Sequence, residues 1–89
     1  MELHQRVEKD LRKLNKENAQ RVIEQIEALG HDPHPAHSRS LRGYSSLYRI
    51  RVGDYRVIYI VDDGELTVIA LLVGHRRDVY RALARVLRG

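Results

Sequence analysis

Cysteine is absent from this 89-residue chain. Neither disulfides nor a thiolate metal site can reinforce its core, and a reduced, intracellular setting is expected. Long apolar runs are missing too. The longest, Val68 to Val73, is far too short to span a bilayer, and the charged segment Met1 to Asp10 lacks the apolar stretch of an export signal. The cytoplasm is therefore the expected location, with no membrane partner. Lysine is absent from residues 31–89, where all ten cations are arginines against six acids, whereas residues 1–30 carry six of each sign. The net charge of +4 thus lies wholly in the later part. Arginine grips phosphate through a planar fork that lysine lacks, so an arginine-only excess points to a polyanion partner. A single domain over residues 1–89 is expected, hiding only about 60 to 65% of the surface its unfolded chain exposes, so the core is thin.

From His4 to Leu14 the apolar residues Val7, Leu11 and Leu14 follow the stripe of an amphipathic helix. The pattern resumes after Asn15 with Ala19, Val22, Ile23, Ile26 and Leu29, and Gly30 is the expected stop. Such a pair is either a helical hairpin packed on a sheet or a DNA-reading helix-turn-helix. Glu17, Glu24 and Glu27 on the second helix would repel phosphate and disfavour the latter. His31 to Leu41 holds both prolines and reads as a surface loop. His31, His34 and His37 are spaced three apart, but the prolines break any helix that would align their rings, and no metal site is expected.

From Leu47 the period becomes two. Tyr48, Ile50 and Val52 alternate with Leu47, Arg49 and Arg51, and Tyr55, Val57, Tyr59 and Val61 alternate with Arg56, Ile58 and Ile60. Gly53-Asp54 between the runs is a two-residue hairpin signal. Asp62 to Glu65 reads as the next turn, and the almost wholly apolar Leu66 to Val73 reads as a strand covered on both faces in the middle of a sheet. A short amphipathic tail follows, with Val79, Leu83, Val86 and Leu87 on one side, and Glu2 and Leu3 form the end of a first edge strand. The expected fold is α+β: an antiparallel sheet of three to four strands under an N-terminal helical hairpin, with a short C-terminal helix.

A two-residue loop at Gly53-Asp54 sets Val52 opposite Tyr55, Arg51 opposite Arg56, Ile50 opposite Val57 and Tyr48 opposite Tyr59. One face is then aromatic and aliphatic, and the other gathers Arg49, Arg51 and Arg56. Like charges directly opposite cost about 0.2 to 1 kcal/mol. Either an anionic ligand relieves the Arg51–Arg56 repulsion, or Asp54, Asp62 or Asp78 neutralises it. Gly74 to Tyr80 leaves the last strand beside the same face and adds His75, Arg76, Arg77 and Tyr80. Cations for phosphate, a ring to stack on a base and groups that move protons are the parts needed to cut RNA without a metal. Taken singly, His75 is equally a strand-end histidine bonded to backbone, and Tyr80 an ordinary core aromatic.

These residues carry a resemblance to a known family. Leu41-Arg42-Gly43, Tyr48-Arg49-Ile50-Arg51, Tyr55-Arg56-Val57-Ile58-Tyr59 and Gly74-His75-Arg76-Arg77-Asp78-Val79-Tyr80-Arg81 closely resemble the RelE branch of the RelE/ParE toxin superfamily. With the run Glu8 to Leu14, the likeness covers nearly the whole chain. It implies an antiparallel sheet flanked by helices and a type II toxin restrained by a cognate antitoxin that folds on binding. It also implies cleavage of messenger RNA in the ribosomal A site by 2′-OH attack, leaving a cyclic phosphate, without cofactor or metal. By position, Arg49 and Arg51 stand where the best-known members have lysines. Arg56 and Arg76 match arginines that contact phosphate or act as the acid, and Tyr80 matches the tyrosine that stacks on the substrate base. Arginine, with a pKa above about 12, is a poor general base. By chemistry the imidazole of His75 suits proton transfer better, although the family gives its position no central role. Family members also usually carry several more first-strand residues before the equivalent of Glu2. There are two rival readings: a ParE-like inhibitor of DNA gyrase, whose branch shares the fold but typically lacks the Arg49, Arg51, Arg56, Arg76 and Tyr80 constellation, and a non-catalytic module that binds RNA or the ribosome through the arginine face.

Overall fold

The computed structural model describes residues 2–44, 46–62, 64 and 67–88. In chain order it contains β1 (Glu2–Leu3), α1 (Gln5–Arg12), α2 (Lys16–Leu29), β2 (Arg39–Ser40), β3 (Leu47–Val52), β4 (Tyr55–Asp62), β5 (Thr67–His75) and α3 (Val79–Arg88). The strands form one sheet in the order β1-β5-β4-β3-β2. β2 to β5 are the expected antiparallel sheet. β1 adds a two-residue edge parallel to β5, as the reading of Glu2 and Leu3 anticipated.

Side-chain caps start both N-terminal helices. His4 Nδ1 accepts from the Arg6 amide at 3.2 Å, and Asn15 Oδ1 accepts from the Asn18 amide at 2.8 Å. Gly30 does end α2, as expected, with a right-handed φ of −65°. The helix closes because the amides of His31 and Asp32 both turn back to the Ala28 carbonyl, after which Pro33 and Pro35 prevent continuation. The segment read as a continuous loop from His31 to Leu41 contains β2, which pairs with β3 as Arg39 opposite Arg49 and Ser40 opposite Tyr48. Two residues are too few to show a period.

α1 and α2 cover one sheet face as a helical hairpin. Val7, Val22, Ile26 and Leu29 pack there against Ile50, Val52, Val57, Tyr59 and Val61. Tyr59 is fully buried, its hydroxyl donates to the Pro33 carbonyl at 3.0 Å, and its ring stacks on Tyr48 at 5.8 Å. His34 meets Tyr48 edge-on at 5.0 Å, so this histidine serves to pin the 31–38 segment onto the sheet.

The opposite face is less open than the alternation implied, because α3 lies across it. Leu47, Ile58, Leu71 and Leu72 form a second core there with Val79 and Leu83. Consecutive leucines share this layer because the register slips between Ile58 and Tyr59: Ile58 pairs with Leu72 and Tyr59 with Ala70, leaving Leu71 as a bulge residue on β5. β5 is an interior strand covered on both faces, as its apolar run required, although β4 occupies the centre of the sheet. Leu66, and Asp63 and Glu65 of the expected turn, lie outside the described residues. Leu87, read as part of the apolar side of α3, is exposed, whereas Val86 is half-buried.

Candidate functional site

The β3–β4 hairpin has the two-residue turn. Gly53 takes a φ of +60°, and the register sets Val52 opposite Tyr55, Arg51 opposite Arg56, Ile50 opposite Val57 and Tyr48 opposite Tyr59. Arg51 and Arg56 therefore lie side by side on the face that also bears Arg49. A like-charge neighbour that the sequence did not reveal is Arg39, opposite Arg49 across β2 and β3. Its guanidinium is held by the carbonyls of Ala36 and Ser38 at 3.1 and 2.8 Å.

The Arg56 guanidinium folds back over the turn and donates to the carbonyls of Gly53 and Tyr55 at 3.3 and 3.1 Å. Among the described residues no carboxylate pairs with Arg51 or Arg56. Asp54 instead faces Arg76, with Oδ1 4.0 Å from Nε, and its carbonyl accepts from the Arg76 amide at 2.8 Å. That backbone bond ties the end of β5 to the hairpin turn and brings Arg76 to the end of the sheet where Arg51 and Arg56 lie.

His75 lies opposite Tyr55 in the β4–β5 ladder, with the rings edge-to-face at 5.9 Å. Its Nδ1 accepts from the Arg77 amide at 3.2 Å. A neutral ring held this way carries its proton on Nε2, so its one basic nitrogen is already engaged. His75 and Arg51 line an open cleft of about 700 Å³ together with Arg21 of α2 and His37. Neither Arg21 nor His37 had a local signal, because each reaches the cleft only when α2 and the following segment dock on the sheet.

Gly74 pairs with Arg56 and marks where α3 meets the sheet. A Cβ at position 74 would stand 3.3 Å from Val79 Cβ and Cγ2. Tyr80 is the next residue and is 44% exposed, so it is not the core aromatic that was the alternative. Its cleft, of about 360 Å³, is formed with Leu41, Arg42, Tyr44, Leu83 and Ala84, apart from the cleft holding Arg51 and His75. The structure thus gathers Arg51, Arg56, His75 and Arg76 around the β3–β4 turn, sets Arg49 one pair further along the face, and puts Tyr80 in a neighbouring cleft.

Residues 1–80 match the family model described as the ParE toxin of type II toxin-antitoxin systems. The toxin RelE1 of Methanocaldococcus jannaschii is 33% identical over 84 residues, covering 91% of this chain and 93% of that one. The RelE–RelB complex of Pyrococcus horikoshii matches with a TM-score of 0.74 at 34% identity, over 84% of this chain and 91% of the other. The isolated RelE toxin of E. coli matches with a TM-score of 0.71 at 25% identity, over 83% and 80% respectively. The chain belongs to the RelE/ParE superfamily of type II toxins, in which it is of the RelE type. Among the described residues, no helix is long and apolar enough to cross a membrane.

Proposed function

We propose that this chain is a ribosome-dependent endonuclease acting on messenger RNA in the cytoplasm. The observation that carries the reading is the Arg51–Arg56 pair: two arginines at directly opposite positions of adjacent strands, without a carboxylate partner among the described residues. An RNA phosphate supplies the missing counter-charge. Arg49, Arg51, Arg56 and Arg76 then stabilise the negative charge that grows on the phosphorane oxygens. The ribose 2′-oxygen attacks the adjacent phosphorus and the bond to the 5′-oxygen breaks. Products are a 2′,3′-cyclic phosphate and, after protonation, a 5′-hydroxyl.

With its Nδ1 engaged by the Arg77 amide, His75 is read here as a donor through Nε2–H rather than as the base that its chemistry first suggested. The four arginines accept no proton at neutral pH, so the 2′-OH proton passes to solvent. Tyr80 stacks on a base near the cut. A cognate antitoxin is the second partner, as in the RelE–RelB complexes of the archaeal relatives. The groove of about 410 Å³ between α1 and α3 carries Arg6, Lys13, Arg81 and Arg85 against Asp10 and Asp78, and this cationic excess suits an acidic segment of it.

Purified protein added to translating ribosomes, with the cut ends sequenced, tests the reading. Cuts within A-site codons are expected, blocked by a 2′-deoxy substitution at the cut nucleotide and insensitive to chelator so long as the ribosomes stay intact. The ParE family name keeps a second reading in view. Gyrase-dependent DNA breaks without RNA cuts would favour it, and neither product would favour a binding module.

A further inference from the structure

Only four large hydrophobic side chains stand out as exposed among the described residues: Leu3, Tyr44, Tyr80 and Leu87. Two of them line a single cleft. Tyr44 is 47% exposed and Tyr80 44%, and both border the space of about 360 Å³ whose remaining walls are Leu41, Arg42, Leu83 and Ala84. They come from distant parts of the chain, one from the β2–β3 connection and one from the first turn of α3. Each is separately positioned. The Tyr44 amide donates to the Leu41 carbonyl at 3.1 Å across a turn in which Gly43 takes a φ of +87°, and Tyr80 follows the Val79 contact beneath Gly74.

The cleft continues the arginine face. Along it, the Arg51–Arg56 pair is followed by the Arg39–Arg49 pair and then by Leu47, whose carbonyl accepts from the Leu41 amide. Each step is two residues, roughly 7 Å at the rise of a strand. Cations thus track along one face towards a cleft lined by two exposed tyrosines, the combination that holds a single nucleic-acid strand by its phosphates and its bases. An apolar peptide would leave the adjoining arginines without a counter-charge. A nucleobase attached to a phosphate backbone satisfies both parts.

We infer that Tyr44 is a substrate-binding residue that, with Tyr80, forms a two-sided slot for one nucleobase of the bound RNA. This rests on the RNA-cleaving reading and extends it to a residue that the resemblance does not assign. Stacking accepts any base, so the slot fixes the position of the message on the protein rather than its sequence.

The test uses ribosomes programmed with a short message that is 2′-O-methylated in the A-site codon, so that it binds without being cut. Binding of parent, Tyr44→Ala, Tyr80→Ala and the double variant is compared, with and without an abasic nucleotide placed successively along the codon. Tyr44→Ala is expected to weaken binding about tenfold, in the range that one base–aromatic stack supplies, and Tyr44→Phe to recover most of that loss. The double variant should lose less than the product of the two single losses, because removing either wall opens the same slot. One abasic position should weaken the parent more than Tyr44→Ala, and leave the double variant unaffected. Thermal melting identifies any misfolded variant, for which Tyr44→Ser substitutes. If Tyr44→Ala and Tyr44→Ser bind like the parent while Tyr80→Ala does not, the slot is overturned and the RNA reading stands. Binding that ignores Tyr44→Ala, Tyr80→Ala and the double variant, and is equally indifferent to Arg51→Gln run alongside them, overturns both.

Discussion

Replacing Arg56 by Gln removes a charge from beside Arg51 together with two donors to the turn carbonyls of Gly53 and Tyr55. Relief of repulsion, about 0.2 to 1 kcal/mol, opposes the loss of two solvent-accessible hydrogen bonds of similar worth. Thermal stability is therefore expected to change little in low-salt buffer without phosphate. Cleavage should fall at least tenfold, equivalent to about 1.4 kcal/mol of transition-state stabilisation. Sulfate should raise the melting temperature of the parent more than that of Arg56→Gln, since only the parent has the full anion site. A variant that melts far lower yet cuts normally would make Arg56 a clamp on the turn and nothing more.

Tyr59 gives a pH test at the same scale. Burial pushes its phenol above the ordinary 10.0. Nearby Tyr48 and Asp32 push the same way, and the hydrogen bond with Ser38 opposes them. The folded state thus holds this proton more tightly than the unfolded chain. The associated stability is complete below the unfolded pKa of about 10 and is lost as pH rises through the folded value. Tyr59→Phe should cost about 1 kcal/mol at neutral pH, through the lost bond to Pro33. It should also flatten the fall in stability at high pH, as read by denaturant titration at several pH values.

At the scale of elements, β1 and Asp10 divide the outer edge of β5 between them. β1 pairs only with Ile69 and Ala70, after which the chain turns into α1. The Val73 amide, further along that edge, finds its acceptor in Asp10 Oδ2 at 3.0 Å. Asp10 is 8% exposed, with Arg6 Nε 4.0 Å away. Asp10→Ala would leave the Val73 donor unsatisfied in a buried site, at a cost of about 1 to 3 kcal/mol. Asp10→Asn keeps an acceptor there and should lose less. A denaturation series that ranks the two alike would show that the carboxylate does not cap β5. The α3 contact is tested by Gly74→Ala, whose added methyl meets Val79 at 3.3 Å. α3 must shift by a few tenths of an ångström, and because Tyr80 moves with it, cleavage should drop further than the modest loss of stability explains.

For the whole molecule, the arginine excess makes binding depend on salt. Four phosphate contacts, through Arg49, Arg51, Arg56 and Arg76, predict that the logarithm of the RNA association constant falls with the logarithm of salt at a slope of roughly −3, from about 0.7 per contact on a single strand. Each arginine removed should flatten the slope by about 0.7, which separates phosphate contacts from arginines that act through packing.

The alternation around Gly53-Asp54 determined the hairpin register, and hence the Arg51–Arg56 pair, because side-chain direction in a strand depends only on residue parity. Periodicity of 3.6 likewise determined α1 and α2, and the apolar run from Val68 marked β5 as interior. Other features depend on partners distant in sequence. β2 is too short to have a period and exists only where β3 offers an edge, so the Arg39–Arg49 pair was invisible. Gly30 stays right-handed because the last turn of α2 closes on Ala28. The bulge at Leu71 matches one strand to another, a property of neither alone. That Tyr44 and Tyr80 line one cleft was decided by the docking of α3 on Gly74, 30 residues after Tyr44. Local pattern sets which way a side chain faces; only packing between elements decides what it meets there.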